Sequence, residues 1–292
     1  MKSREFVEPF RVTNGSKFRL KHFHAGETLG LKSKEHAQEI LEQGIAHLSE
    51  LQEKLYAQDR WAILMILQGM DAAGKDSTIK HVMSGVNPQG CQVHSFKAPT
   101  AEELQHDFLW RTTRSLPERG EIGIFNRSYY EEVLVIRVHP EMLSHENIPA
   151  DLISKNIWEK RFEDINAFER YLSRNGILVL KFFLHLSKHE QKKRFLARLD
   201  EPEKYWKFSI NDVLERKHWN KYMDAYEDMI RNTSTEQAPW YVVPADHKWF
   251  SRLVVAEATV DALRKLDLCF PKLDSDKRKE LKRARGALRG TT

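Results

Sequence analysis

Residues Gly69-Met70-Asp71-Ala72-Ala73-Gly74-Lys75-Asp76-Ser77-Thr78 follow an apolar run over 61–67 and open a helical pattern carried by Ile79, Val82, Met83 and Val86. A short buried strand, a glycine-flanked loop and a helix, in that order, restrict the chain to few architectures. A glycine at each end lets the backbone wrap an anion with its N–H groups, and the helix N-terminus adds its dipole. Lys75 supplies a mobile positive charge. Gly69, Ala72, Ala73, Gly74, Lys75, Asp76 and Ser77 therefore form a predicted phosphate cradle, against the plainer reading of a glycine-containing turn.

Two residues depart from the usual phosphate loop. Ser or Thr normally follows the lysine and its hydroxyl binds Mg²⁺, whereas here Asp76 stands there and Ser77 and Thr78 come later. Asp71 places a carboxylate inside a loop meant for phosphates, which repels the ligand unless a cation lies between them. Mg²⁺ at Asp71 is the expectation, with a local turn hydrogen bond as the alternative.

Further strands are predicted at 92–96, 123–126, 177–183 and 240–243, each short, rich in β-branched or aromatic residues, and separated from the next by helix-period segments. Such alternation implies an α/β fold, a parallel sheet with helices on both faces. Ligands bind such sheets beyond the carboxyl ends of the strands, where residues 69–75, 97–100 and 126–130 would converge. Residues 1–32 read as an extended N-terminal arm. Residues 33–57 read as an amphipathic helix packing through Ile40, Leu41, Leu48, Leu51 and Leu55.

The 292 residues are 41% hydrophobic, enough for one large core, and 13 Gly and 10 Pro are too few for a low-complexity polymer. No apolar run approaches the ~20 residues of a membrane helix, and the first nine residues are charged rather than signal-like. A cytoplasmic protein without membrane association is expected. Cys91 and Cys269 have no metal-ligand spacing and read as structural thiols. The net charge of +5 favours a polyanionic partner. Part of it lies in the tail, where Lys277, Arg278, Lys279, Lys282, Arg283 and Arg285 would bind an anion or simply form a solvated helical terminus.

The segment 122–132 ends a strand with polar residues where phosphoryl-transfer enzymes of this architecture place a metal-linked acid. Here the residue is Asn126, a poorer Mg²⁺ ligand than a carboxylate, so it is expected to orient a water or substrate oxygen while Glu131 or Glu132 supplies charge. Arg127 would clamp a phosphate or pair with a carboxylate for structure. Arg194 and Arg198, four apart on one helix face, would form a lid over the loop or lie on a solvated face. Trp206, Trp219 and Tyr222 interleave with these cations, but their spacing with Phe195, Leu199 and Met223 fits helix packing better than base stacking on single-stranded nucleic acid.

Three motifs in order, Gly69-Met70-Asp71-Ala72-Ala73-Gly74-Lys75-Asp76, Phe125-Asn126-Arg127-Ser128-Tyr129-Tyr130-Glu131-Glu132 and the stretch from Arg194 through Arg198 to Lys207, resemble the second family of polyphosphate kinases over about residues 30–270. The resemblance implies a three-layer P-loop kinase fold of thymidylate-kinase type with a helical lid. It also implies Mg²⁺-dependent, reversible phosphoryl transfer between inorganic polyphosphate and nucleoside mono- or diphosphates. On it, Asp71 would hold metal and orient the acceptor, Lys75 would grip the transferring phosphoryl, Arg127 would contact it, and Arg194, Arg198 and Lys207 would serve polyphosphate. The stretch 131–139 is similar to the third class of the family, which accepts AMP and ADP and carries an acid where Glu131 stands. Segments 97–103 and 109–114 look like the same class, so Lys97, Thr100, Arg111, Tyr130 and Glu131 would line the nucleotide side. The implied division is an arm at 1–32, a phosphotransferase domain at 33–270 with its lid at about 188–230, and a basic tail at 271–292. Homologues imply a homo-oligomer, and guanine nucleotides are a second choice after adenine. The nearest rival is an ATP-dependent nucleoside monophosphate kinase. A basic nucleic-acid-binding protein is the other, and no recognition motif supports it.

Overall fold

A strand buried along its whole length must present apolar side chains in both directions, and β2 (Ala62–Gln68) does so. Ile63, Met65 and Leu67 enter one apolar layer, while Leu64 and Ile66 enter another. The computed structural model describes residues 3–31 and 34–290. The expected boundary at 32/33 lies outside the described residues, as do both ends of the chain.

The first layer is made by the helices Lys34–Gln58, Lys75–Val82 and Lys248–Arg264. Leu41, Leu48 and Leu55, spaced seven apart, bury the first of these in that layer, where it packs chiefly along Lys248–Arg264, each side chain wholly buried and contributing about 1.5–3 kcal/mol. Opposite, the helices Ile157–Arg174 and Trp219–Thr233 supply Phe162, Ile165, Trp219, Tyr226 and Met229. Between the layers runs a six-stranded sheet in the order β1-β6-β5-β2-β4-β3. Its other strands are β1 (Arg11–Val12), β3 (Cys91–Ser95), β4 (Ile122–Asn126), β5 (Ile177–His185) and β6 (Trp240–Pro244). All pairings are parallel except β1 with β6, and Met65 of β2 stands opposite Ile124 of β4 and Leu180 of β5. The predicted fold class is therefore observed, with strands displaced only by a residue or two at their ends.

The N-terminal segment differs from the extended arm expected. Ser3–Val7 is helical, and Phe6, Val7 and Phe10 are buried in the first layer. The chain then adds β1 to the sheet edge and buries Val12, Phe18 and Leu20 in the second layer. It crosses the edge and belongs to both sides of the core.

The stretch expected as a lid also divides. The helix Lys188–Asp200 and the turn Pro202–Lys207 carry Arg194, Arg198, Lys204 and Lys207 to the phosphate loop. The helix Trp219–Thr233 instead packs in the core, which explains the apolar spacing around Tyr222.

Candidate active site

The phosphate loop turns through three left-handed residues, with φ of 154° at Gly69, 64° at Ala72 and 107° at Gly74. At Gly69 a Cβ would meet the Leu184 carbonyl oxygen at 2.9 Å, so the first glycine answers both to backbone conformation and to the close approach of β5. The Lys75 ammonium donates to the Gly69 carbonyl at 2.7 Å and to that of Met70 at 3.4 Å. Burial lowers its pKa and Arg127 adds to the fall, while Asp71, Glu131 and Asp76 pull it back up.

Asp76, one of the departures from the usual loop, and Asn126, which stands where an acid is usual, form one hydrogen-bonded pair. Asn126 at the end of β4 donates its Nδ2 to Asp76 Oδ1 at 2.5 Å. In the ordinary arrangement a hydroxyl stands after the lysine and a carboxylate ends the strand. Here the carboxylate is on the helix and the donor on the strand, so the polarity of the pair is reversed.

Arg127 donates to Asp71 Oδ1 at 2.8 Å and lies 3.9 Å from Glu131. Its own φ is 64°, a left-handed conformation uncommon away from glycine and typical of side chains aimed by a constrained backbone. Burial pushes the Glu131 carboxyl up, and the charges of Arg127 and Lys75 oppose the shift. Asp212 of the short helix Ile210–Glu215 is also pushed up, first by burial and then by the charge of Asp71, which brings this carboxylate into the electrostatics of the site.

Arg194 and Arg198 have different surroundings. Arg198 pairs with Asp212 at 3.0 Å. Arg194 is buried and uses all five of its N–H groups inside the protein. Nη1 reaches the carbonyls of Ala72 and Ala73 at 2.9 and 3.0 Å, Nη2 those of Ala245 and Asp246 at 2.6 and 3.1 Å, and Nε reaches Glu190 at 2.9 Å. It braces the loop from behind. Gln191, one turn earlier, donates to the Asp71 carbonyl at 3.0 Å.

The cleft these residues enclose holds about 480 Å³ and is lined by residues 71–77, Lys97, Asn126, Arg127, Arg194, Arg198 and Lys207, whereas Gly69 and Glu131 stand outside its lining. Lys204 and Lys248 line it too and were not anticipated. Lys248 follows β6, so the rule that ligands sit beyond strand ends would have found it had that loop been included.

On the nucleotide side the outcome is mixed. Ala98 lines both the cleft and a second, mostly apolar cavity of about 190 Å³ bounded by Pro99, Leu104, Phe108, Arg111, Ile136, Met142 and Glu132. Arg111 sits there over the Phe96 ring and donates to the Lys97 carbonyl at 2.8 Å. Thr100 lines neither space: its backbone N–H and hydroxyl form a local turn with Glu103. Tyr130 is a correction. It is wholly buried, its hydroxyl donating to Glu169 at 2.7 Å, because the turn Tyr129–Val133 tucks both tyrosines under the sheet while Glu131 stays near Arg127.

Glu132 faces Glu146 across Arg161, which binds both carboxylates, the first at 3.2 Å. Burial, then the charge of Glu146, raises the Glu132 pKa from 4.5 to about 7. A carboxyl held more basic in the folded state contributes stability that is complete below its unfolded value and is lost as pH rises through about 7. The urea midpoint is therefore expected to fall between about pH 5.5 and pH 8, and Glu132→Gln to flatten that slope. An identical slope in the variant would contradict the assignment.

A parallel sheet that delivers a glycine loop, its lysine and an arginine from the adjoining strand end to one cleft is the frame of a P-loop kinase. The chain belongs to the polyphosphate kinase 2 family: the family model described as Polyphosphate kinase 2 (PPK2) matches residues 31–269. It is 54% identical over 283 residues to the ADP-polyphosphate phosphotransferase of Rhodopseudomonas palustris, covering 97% of this chain and 98% of the relative. It is 44% identical over 266 residues to the AMP/ADP-polyphosphate phosphotransferase of Meiothermus ruber, covering 91% and 96%. Among solved structures, polyphosphate kinase 2 from Arthrobacter aurescens superposes with a TM-score of 0.86 at 42% identity, over 96% of each chain.

Proposed function

We propose that this protein transfers a phosphoryl group between inorganic polyphosphate and adenine nucleotides, AMP or ADP, as the names of its relatives describe for them. The observation that carries the reading is the charge of the cleft. Lys75, Lys97, Arg127, Arg194, Arg198, Lys204, Lys207 and Lys248 line it against only Asp71 and Asp76. So large a cationic excess accommodates two phosphorylated partners at once, which is the requirement of transfer between polyanions. The transfer exchanges one phosphoanhydride for another: the nucleotide's terminal phosphate oxygen bonds the incoming phosphorus as the bridging P–O bond of the polymer breaks. Running the same exchange backwards needs no further group.

Within this reading Lys75 and the loop N–H groups grip the transferring phosphoryl, Arg127 contacts it from β4, and Asn126 and Asp76 fix the loop against the strand. Glu131 holds Arg127 in place on the nucleotide side. The purine enters the apolar cavity beside Ala98 and Arg111, adenine first and guanine second. Asp71 suits Mg²⁺: Arg127 takes Oδ1, which leaves Oδ2 as a hard oxygen ligand facing the cleft for an ion that would share the phosphate oxygens. The ion would neutralise charge between donor and acceptor when bound. A homo-oligomer in the cytoplasm completes the reading, and no helix among the described residues is long and apolar enough to cross a membrane.

Incubation with ADP, Mg²⁺ and either polyphosphate or ATP tests it. ATP formed from the polymer is the expected result; phosphorylation of a monophosphate by ATP alone would favour a nucleoside monophosphate kinase. The brace behind the loop gives a second test. Arg194→Lys replaces five planar donors by three, so the loop loses its carbonyl contacts and kcat is expected to fall about 10- to 100-fold with circular dichroism unchanged. An unaltered kcat would show that the brace is dispensable.

A further inference from the structure

The helix Ser275–Arg289 lies beyond the stretch matched by the family model, and none of its residues is buried. Lys277 pairs with Glu280 at 2.9 Å and Lys279 with Asp276 at 3.0 Å. Arg278, Lys282, Arg283 and Arg285 form no ion pair with any described residue. At 100° per residue, Arg278, Lys282 and Arg285 fall on one face within about 60°, Arg289 continues the same line, and Asp276 and Glu280 lie on the opposite side. Arg278, Lys282 and Arg285 make a straight cationic stripe about 10 Å long without a carboxylate on that face.

Left alone, such a helix is unfavourable. Cations four apart repel one another, Gly286 weakens the interior, and fifteen residues without packing are marginal in water. A linear polyanion along the stripe would remove the repulsion. Segment 275–289 carries no aromatic residue for stacking bases, and its apolar members, chiefly Leu281 and Leu288, are too few to seat it in a lipid surface. Neutralisation of a backbone of phosphates is the chemistry that remains.

The place of the stripe matters as much as its charge. Lys248 lines the cleft and opens a helix of 17 residues that runs about 25 Å to Arg264. Beyond it, Cys269 accepts a weak contact from Gln58, just before β2 begins, whereas the phosphate loop follows the other end of β2. The tail thus leaves the body at the end of the sheet remote from the cleft.

We propose that the Arg278–Lys282–Arg285 stripe is a second, non-catalytic binding site for polyphosphate, which retains the far part of a long polymer while one end reacts. The proposal rests on polyphosphate being the substrate. Only a chain longer than the separation between tail and cleft engages both sites, so the gain in effective concentration is confined to long donors. The test compares the native full-length protein with the triple variant Arg278→Ala, Lys282→Ala, Arg285→Ala, using long-chain polyphosphate and a short oligophosphate as donors. The variant is expected to raise KM for the long donor at least about five-fold and to leave KM for the short donor and both kcat values unchanged, and the native protein's advantage with the long donor is expected to disappear at high salt. Equal KM values for the long donor in both proteins would overturn the proposal. So would equal losses with both donors, or a variant that loses binding to single-stranded RNA with polyphosphate kinetics unaltered. Direct titration with long-chain polyphosphate reads the stripe independently of turnover: tighter binding by the native protein than by the variant supports it even if no phosphoryl transfer occurs, in which case only the functional reading fails.

Discussion

Lys75→Ala is expected to lower kcat by about 10²- to 10³-fold, the scale of losing one pre-placed electrostatic contact at a reacting centre, while the protein stays folded. The loop itself holds the ammonium in position through the Gly69 and Met70 carbonyls, so little reorganisation accompanies its approach to a phosphoryl group. Asp71→Asn should have a comparable effect by a different route. The amide keeps an oxygen for Arg127 but removes the charge that makes Asp71 a ligand for a hard cation. Steady-state kinetics with polyphosphate and ADP, alongside thermal melts, measures both. Near-native turnover in either variant would remove the residue from the site.

The largest expected loss of stability lies beneath the sheet. Lys181 is wholly buried and spends its ammonium on Glu169 at 2.6 Å, the Thr233 carbonyl at 2.7 Å and the Tyr130 hydroxyl at 3.0 Å. Glu169 also accepts from Tyr129 at 2.9 Å and Tyr130 at 2.7 Å. Burial pulls the lysine pKa down while Glu169 holds it up, so the charged pair exists only as a pair. Lys181→Ala strands a carboxylate in the core and should cost about 3–5 kcal/mol by urea unfolding. The double variant Lys181→Met with Glu169→Leu should cost less than the two single changes summed. A single-variant loss below about 1 kcal/mol would mean that water reaches the site.

Sequence patterns located what periodicity and local chemistry encode. The strands, the phosphate loop and the Lys34–Gln58 helix follow from apolar spacing and glycine placement, which depend on near neighbours. Long-range partners were illegible. A two-residue strand such as β1 has no period to read, and nothing in residues 1–32 shows that Phe6 and Phe18 enter opposite layers. Tyr130 resembles a ligand contact because it adjoins Arg127 and Glu131, yet its hydroxyl is satisfied by Glu169 and Lys181, 39 and 51 residues further on. Arg194 resembles a lid cation because a helical wheel shows a face but not the carbonyls it meets. Asp76 and Asn126 each look irregular in isolation because fifty residues separate two halves of one contact.

That contact also orders the routes by which such a chain could acquire the ordinary motif. Changing Asn126 to Asp first brings two carboxyl groups together, so that one must take up a proton and its pKa rises, which changes the charge of the site. Changing Asp76 to Ser first leaves a hydroxyl able to accept from the amide, after which the second replacement becomes tolerable. The two positions are therefore coupled, and replacing the strand residue first is expected to cost more activity than replacing the helix residue first.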